Sequence, residues 1–293
     1  MFHIDFNQPI HVHFVGIGGI SMSGLAEILL KRGFTVSGSD INRGTTSDKL
    51  RNLGVNVHIG HSADNISEDT DLIVYTVAVK LDNPELVQAK AMNIPIIDRA
   101  ILLGQVMEGY ANSIAVAGTH GKTTTTSMVA HILYSASLDP TISVGGILPL
   151  IDGNIHAGNS SYFVTEACEY YNSYHHFYPK VGLVLNVEED HLDFFKDIHD
   201  IRRSFHRFHE NIPSDGALVI QGDTPELKLL TDNLDATIIT YSDGNQSCDY
   251  YATDVSYNSL GHASFTAMAF GEPLCQVSLS VPGAHNINNA LGA

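Results

Sequence analysis

The chain has 293 residues, 44% of them hydrophobic, which is long for a single core and predicts about two domains with no signature of disorder. Its formal net charge of −17, from 15 Lys and Arg against 32 Asp and Glu, excludes a general nucleic-acid or membrane-surface binder. Any phosphate-bearing ligand must therefore be held by local devices such as helix N-termini, a divalent cation and a few placed cationic side chains.

No uninterrupted apolar run approaches the ~18 residues of a membrane span. The start, Met1-Phe2-His3-Ile4-Asp5, lacks the basic and apolar regions of a signal peptide. Cys168, Cys248 and Cys275 lie far apart with no C-x-x-C pair, which suits a reduced, cytoplasmic setting. The 16 histidines include no H-E-x-x-H pattern, so most are expected on the surface or hydrogen-bonded in the core.

Residues 9–15 read as a first strand that runs directly into Gly16-Ile17-Gly18-Gly19-Ile20-Ser21. A helix follows with Met22, Leu25, Ala26, Leu29 and Leu30 inward, and Lys31-Arg32-Gly33 stops it. Residues 35–40 form a second strand ending in Asp40, about twenty residues after the glycines, the layout of a dinucleotide-binding βαβ unit. Ser21 replaces the third glycine of G-x-G-x-x-G. The turn and helix start are suited to a pyrophosphate with Asp40 near a ribose, and they leave open whether it belongs to NAD or to a nucleotide sugar. Helices over 48–53, 83–91 and 99–107 then alternate with strands over 56–59, 71–76 and 95–97, predicting a parallel sheet covered on both faces. Residues 108–112 form a joint.

The second half opens on a β-branched strand, Ser113-Ile114-Ala115-Val116-Ala117, followed by Gly118-Thr119-His120-Gly121-Lys122-Thr123-Thr124 and a helix to residue 135. A glycine turn between strand and helix aims backbone N–H groups and the positive helix end at one anion. Lys122 adds a mobile charge for β- and γ-phosphates, and the Thr123 hydroxyl is placed to ligate Mg²⁺. The spacing is shorter than G-x-x-x-x-G-K-[ST], Val116 standing where the first glycine would be. These features predict an ATP site. Further strands at 140–144, 162–165 and 181–185 deliver Glu166 and, after the third, His191 to the carboxyl edge of the sheet, where ligands of open α/β sheets sit. Thr123, Glu166 and His191 are thus the candidate Mg²⁺ ligands, with water completing the octahedron. A helix over 197–209 and strands over 217–220, 236–241, 250–255, 263–269 and 276–281 complete a β-rich annex. The final residues 282–293 start a helix at Pro282-Gly283-Ala284-His285-Asn286.

The ordered set of segments resembles the Mur ligases, and their alanine-adding branch in particular. It comprises HFVGIGGISMSGLAEIL (13–29), SGSD (37–40), DNPEL (82–86), AGTHGKTTTT (117–126), TEACEY around Glu166, NVEEDHLD (186–193) and PGAHNINNA (282–290). The resemblance spans the whole chain. It implies an α/β protein with a Rossmann-like UDP-N-acetylmuramate-binding domain over 1–107. A P-loop ATPase-like α/β domain with a β-rich annex follows over 108–293. It implies ATP-dependent joining of L-alanine to the lactyl carboxylate of UDP-N-acetylmuramate through an acyl phosphate, with Mg²⁺. That reaction belongs to cytoplasmic peptidoglycan precursor synthesis, and so to cell wall, cell shape and cell division. By the same resemblance Gly16, Ile17, Gly18, Gly19, Ile20, Ser21 and Asp40 belong to the UDP-sugar site. Gly118 to Thr124, with His285, Asn286 and Asn289, belong to ATP. Lys122, Glu166 and His191 serve catalysis, and Thr123, Glu166 and His191 the metal.

Relatives often carry EADES where this chain has Glu166-Ala167-Cys168-Glu169-Tyr170. Residues 198–208 hold Arg202, Arg203 and Arg207 but no lysine of the kind sister ligases carbamylate. The family's C-terminal domain, which helps bind the amino acid and closes over ATP, would begin beyond Ala293. The expectation is binding of both nucleotides with poor ligation, and a terminal helix whose Ile287, Ala290 and Leu291 lack a partner and fray. The competing readings are an NAD-dependent oxidoreductase, which leaves the P-loop unexplained, and a fragment that only binds nucleotides.

Overall fold

The computed structural model describes residues 2–293. Contacts divide the chain into two compact units, one of Met1–Gly109 with Thr141–Asn159 and one of Tyr110–Pro140 with Ser160–Ala293. The elements of the first are β1 (His11–Val15), α1 (Ile20–Lys31), β2 (Thr35–Asp40), α2 (Thr45–Asn52), β3 (Asn56–Ile59), β4 (Leu72–Tyr75), α3 (Pro84–Ala91), β5 (Ile96–Asp98) and α4 (Arg99–Glu108). The second begins with β6 (Asn112–Ala117) and α5 (Lys122–Ser135). The hairpin β7 (Thr141–Leu148) and β8 (Gly153–His156) belongs to the first unit. The second resumes with β9 (Tyr162–Glu166), β10 (Val181–Val184), α6 (Ile198–His209), β11 (Ala217–Gln221), α7 (Leu227–Thr231), β12 (Thr237–Ser242), β13 (Tyr250–Tyr257), β14 (His262–Ala269), β15 (Glu272–Pro282) and α8 (His285–Gly292).

In the first unit five parallel strands run in the order β3-β2-β1-β4-β5. The order reverses at β1, so the glycine turn after β1 lies at the crevice between β1 and β4 where such sheets receive ligands. Val12, Phe14, Val15, Leu72, Ile73 and Val74 are fully buried, the expected result for strands covered on both faces. The sequence reading placed a strand over 140–144 followed by a glycine turn at 145–146. The structure instead forms a hairpin reaching residue 156 that sits on α1. Gly24 makes this possible, because a Cβ there would meet Ile155 Cδ1 at 1.5 Å. Lys31 Nζ also donates to Ala157 O.

In the second unit β9, β6, β10, β11, β12 and β13 are parallel neighbours in that order, and β14 and β15 extend the sheet antiparallel. The β-rich stretch therefore continues the main sheet. The expectation of an unpartnered, fraying terminal helix is overturned. Ile287 is 2% exposed in a cluster with Ala252, Ala263, Phe265 and Ala267, and Ala290 and Leu291 pack against it. Leu291 also touches the group formed by Val116, Leu183, Leu185 and Tyr241. Burying one such aliphatic side chain contributes ~2 kcal/mol, enough to hold a two-turn helix that would not persist alone. Among the described residues no helix is long and apolar enough to cross a membrane.

Two histidines are sealed in these cores. His13 is held down to about 3 by burial, reinforced by His58, His11 and His61, and His209 is held down to about 4, mainly by burial. Both fold neutral and take up a proton on unfolding, so their contribution is full above the ordinary value of 6.5 and is lost as pH falls through the window toward 3–4. The melting temperature should fall between about pH 7 and pH 4. His13→Asn, which keeps a partner for Ser37, should make that fall shallower. An unchanged slope by circular dichroism would remove His13 from the account.

Candidate functional site

The second unit builds its site at the strand where the sheet order reverses. Strand β6 lies between β9 and β10, so the turn after β6 opens at their carboxyl ends. Gly118 (φ +137°) and Gly121 (φ +86°) adopt backbone angles that a side chain would strain. Gly121 is the residue before α5. The first turn of α5 holds no acidic residue and no side-chain cap, so its N–H groups remain available to an anion.

The segment after β10 staples this loop in place. Thr119 N donates to Asn186 O (3.1 Å), His120 N donates to Asn186 Oδ1 (2.7 Å), and Asn186 Nδ2 donates back to His120 O (3.1 Å). Glu188 N donates to the buried Thr119 hydroxyl at 2.9 Å. Thr119 and the His120 amide thus shape the loop, and the N–H groups at the start of α5 are left without a side-chain cap. Asn186 was not among the sequence-predicted residues; its position just past a buried strand, before three acids, was the available signal.

Lys122 Nζ donates to Gly118 O (2.5 Å), to Thr119 O (3.1 Å) and to both carboxylate oxygens of Glu169 (3.1 and 3.0 Å). Glu169 was also missed, although it stands three residues after Glu166. His191, in a left-handed conformation at φ +51°, brings Nε2 to 3.8 Å from Glu169 Oε1. Its ring stacks on Tyr170 at 4.4 Å, and the Tyr170 hydroxyl donates to Asp193 Oδ2 at 2.6 Å. That hydrogen bond is the first cause raising the Tyr170 hydroxyl above its ordinary range. Glu166 closes β9 opposite Val116, and Thr123 is exposed on the first turn of α5.

A cavity of about 490 Å³ adjoins the loop, lined by His120, Gly121, Asn186, Asp223, His285 and Asn289 among others. The loop and α8 meet because Gly121 has no side chain: a Cβ there would lie 2.8 Å from Asn289 Oδ1. Asn289 Nδ2 donates to Asn286 Oδ1 (2.9 Å), and Asn286 Nδ2 to Pro282 O (2.8 Å). The buried Asn286 thus orients Asn289. Asn288 also lines the cavity, and its Oδ1 is buried without a hydrogen-bond partner.

In the first unit the glycine turn is tied to the end of β2. Gly16 N (2.8 Å) and Ile17 N (2.9 Å) donate to Ser39 O, and Gly18 N donates to Asp40 Oδ2 (2.9 Å). Asp40 therefore braces the turn, with Asn42 N on its other oxygen at 3.2 Å. Gly19 ends the turn as the residue before α1, Ile20 is exposed at its first position, and Arg99 Nη1 donates to Ser21 Oγ at 3.2 Å. A guanidinium and a helix N-terminus together suit a diphosphate.

The profile of the "Mur ligase family, catalytic domain" matches residues 11–111, and that of the "Mur ligase middle domain" matches residues 116–293. The chain belongs to the Mur ligase family. It is 54% identical over its full length to UDP-N-acetylmuramate–L-alanine ligase of Agathobacter rectalis and 49% identical over 290 residues to that of Acetivibrio thermocellus. It spans 64% and 62% of those proteins' lengths. The crystal structure of UDP-N-acetylmuramate-alanine ligase from Thermotoga maritima superposes with a TM-score of 0.80 at 33% identity, covering 97% of this chain and 63% of that one. A Neisseria meningitides UDP-N-acetylmuramate:L-alanyl-gamma-D-glutamyl-meso-diaminopimelate ligase gives 0.84 at 29% identity, covering 97% and 92%. All four are ligases, and the oxidoreductase alternative gains nothing from them.

The ion pair makes the consequence of removing Lys122 specific. Its side chain is 16% exposed and that of Glu169 3%, so Lys122→Met leaves a buried carboxylate unpaired, at a cost of ~3 kcal/mol. We expect a lower melting temperature and loss of ATP binding in calorimetry. The double variant Lys122→Met/Glu169→Gln should regain the melting temperature and not the ATP. Full ATP affinity in either would remove Lys122 from the site.

Proposed function

We propose that this Mur ligase chain serves the ATP-dependent joining of L-alanine to the lactyl carboxylate of UDP-N-acetylmuramate, in cytoplasmic peptidoglycan precursor synthesis. The observation that carries the reading is the uncapped start of α5 with Lys122 at its first position, beside a cavity walled by α8. Phosphates fit the loop end of that cavity. The Asp223 carboxylate, which accepts from Ser242 and Asn245, suits the hydroxyl or amino groups at the other end of a nucleotide. The glycine turn at β1, braced by Asp40 and flanked by Arg99, suits the pyrophosphate of a UDP-sugar.

Mg²⁺ fits the donor set in chemistry. Thr123, Glu166 and His191 supply a hydroxyl, a carboxylate and an imidazole, and Glu169 stands 3.8 Å from His191. Among the described residues no three His, Cys, Asp or Glu side chains form a ready cage. A cation here would be held by one or two of these groups, with nucleotide oxygens and water as its other ligands. Such an ion, when bound, would neutralise charge on the β- and γ-phosphates.

In the proposed reaction a lactyl carboxylate oxygen bonds to the γ-phosphorus as ADP leaves. The alanine amine then attacks the acyl carbon, phosphate leaves, and the amine gives up a proton. Lys122 and the α5 N–H groups hold the transferring phosphoryl group, and catalysis is positioning and charge stabilisation.

Because the chain spans under two thirds of its curated relatives' lengths, binding is the direct readout. Calorimetric titration of residues 1–293 should show binding of UDP-N-acetylmuramate and of MgATP, and none of NAD. Asp40→Ala, which unties Gly18, should weaken the UDP-sugar about tenfold and leave ATP unchanged. NAD binding without a response to the UDP-sugar would refute the proposal.

A further inference from the structure

The Lys122 ammonium has three donors, and each is spent inside the protein. They go to Gly118 O, Thr119 O and the Glu169 carboxylate. A phosphate arriving at the loop can engage Lys122 only by taking it from one of these acceptors. The two carbonyls belong to the loop itself and move with it. Glu169 belongs to the segment after β9, and it carries the full negative charge that an incoming phosphate would oppose. It is the partner to be exchanged.

That exchange has a cost set by the surroundings of Glu169. Its side chain is 3% exposed, and among the described residues its carboxylate hydrogen-bonds only Lys122. His191 Nε2 stands 3.8 Å away, too far for a hydrogen bond. Once Lys122 turns to a phosphate, Glu169 becomes a buried, unpaired anion next to a second anion, an arrangement that is strongly unfavourable unless a cation enters with the nucleotide. His191 is placed to share such a cation.

We propose that Glu169 makes nucleotide binding conditional on a divalent cation: it latches Lys122 to the loop, penalises metal-free polyphosphate, and releases Lys122 when a cation takes over its charge. Glu169 is in this account a positioning and specificity-determining residue, acting through Lys122. The inference rests on the reading of this loop as an ATP site.

The test is calorimetric titration of ATP into residues 1–293, in excess Mg²⁺ and in EDTA, for the wild-type chain and Glu169→Gln. Wild type should bind ATP at least about tenfold more tightly with Mg²⁺ than without. Glu169→Gln, neutral and isosteric, should bind metal-free ATP about fivefold more tightly than wild type and lose most of its Mg²⁺ dependence. A gain of affinity is not what structural damage produces. Unchanged or weaker metal-free binding by a Gln variant of wild-type melting temperature overturns the inference while leaving the ATP site standing. No ATP binding by wild type in either buffer overturns both. Should the Gln variant fail to fold, Glu169→Asp, whose carboxylate is one methylene further from Lys122, takes its place. At least about a twofold gain in EDTA is then expected, and none counts against the latch.

Discussion

The parallel pairing of β6 with β9 on one side and β10 on the other is the constraint from which the rest of the second unit follows. Three strands side by side and pointing the same way must end together. The residues that follow them are therefore neighbours whatever their separation along the chain. Lys122 after β6, Glu169 after β9 and Asn186 after β10 meet for this reason. The hydrogen bonds between Asn186 and residues 119 and 120 then fix the loop's shape without using the helix N–H groups. In the proposed ATP reading the loop's donors must be oriented but unspent, and a stapled loop beside an uncapped helix start is consistent with that.

The first unit reaches a related result with different chemistry. Its glycine turn is held from β2, with Ser39 O taking two N–H groups and Asp40 a third. Ser39 is itself anchored, its hydroxyl donating to the buried Glu85 at 2.6 Å, and Asn65 also donates to that carboxylate (2.5 Å). A fully buried acid is tolerable here because several donors surround it. It lies on α3, so the turn is braced through the sheet to a helix on the far side of β1.

Glycine has a distinct use at each contact that matters. Gly118 and Gly121 supply positive φ at the loop, whereas Gly24 and Gly121 remove a Cβ where another chain segment must come close. Ile155 takes the first gap and Asn289 the second. Substitution at either would push apart segments that no regular hydrogen-bond ladder holds together.

Much of the architecture was legible in local pattern. The alternation of β-branched runs with 3.6-residue periodicity located β1 to β6 and α1 to α5 within a few residues, because parallel strands buried on both faces have few other compositions. The glycine turns after β1 and β6 were readable because backbone angles there exclude most residues. The hairpin β7–β8 was not: its second strand, Gly153–His156, carries no alternation, and it exists because Ile155 fits the gap at Gly24. The helix α8 likewise has too few apolar residues to announce a partner, and its hold comes from strands β13 and β14 and the sheet centre. The spacing of Glu166 and Glu169 says that both lie near the end of β9, but not which one faces Lys122. Local sequence determines strands, helices and turns through backbone preference and periodicity. Which carboxylate meets the ammonium, and which asparagine meets the loop, are long-range packing outcomes that only the tertiary structure decides.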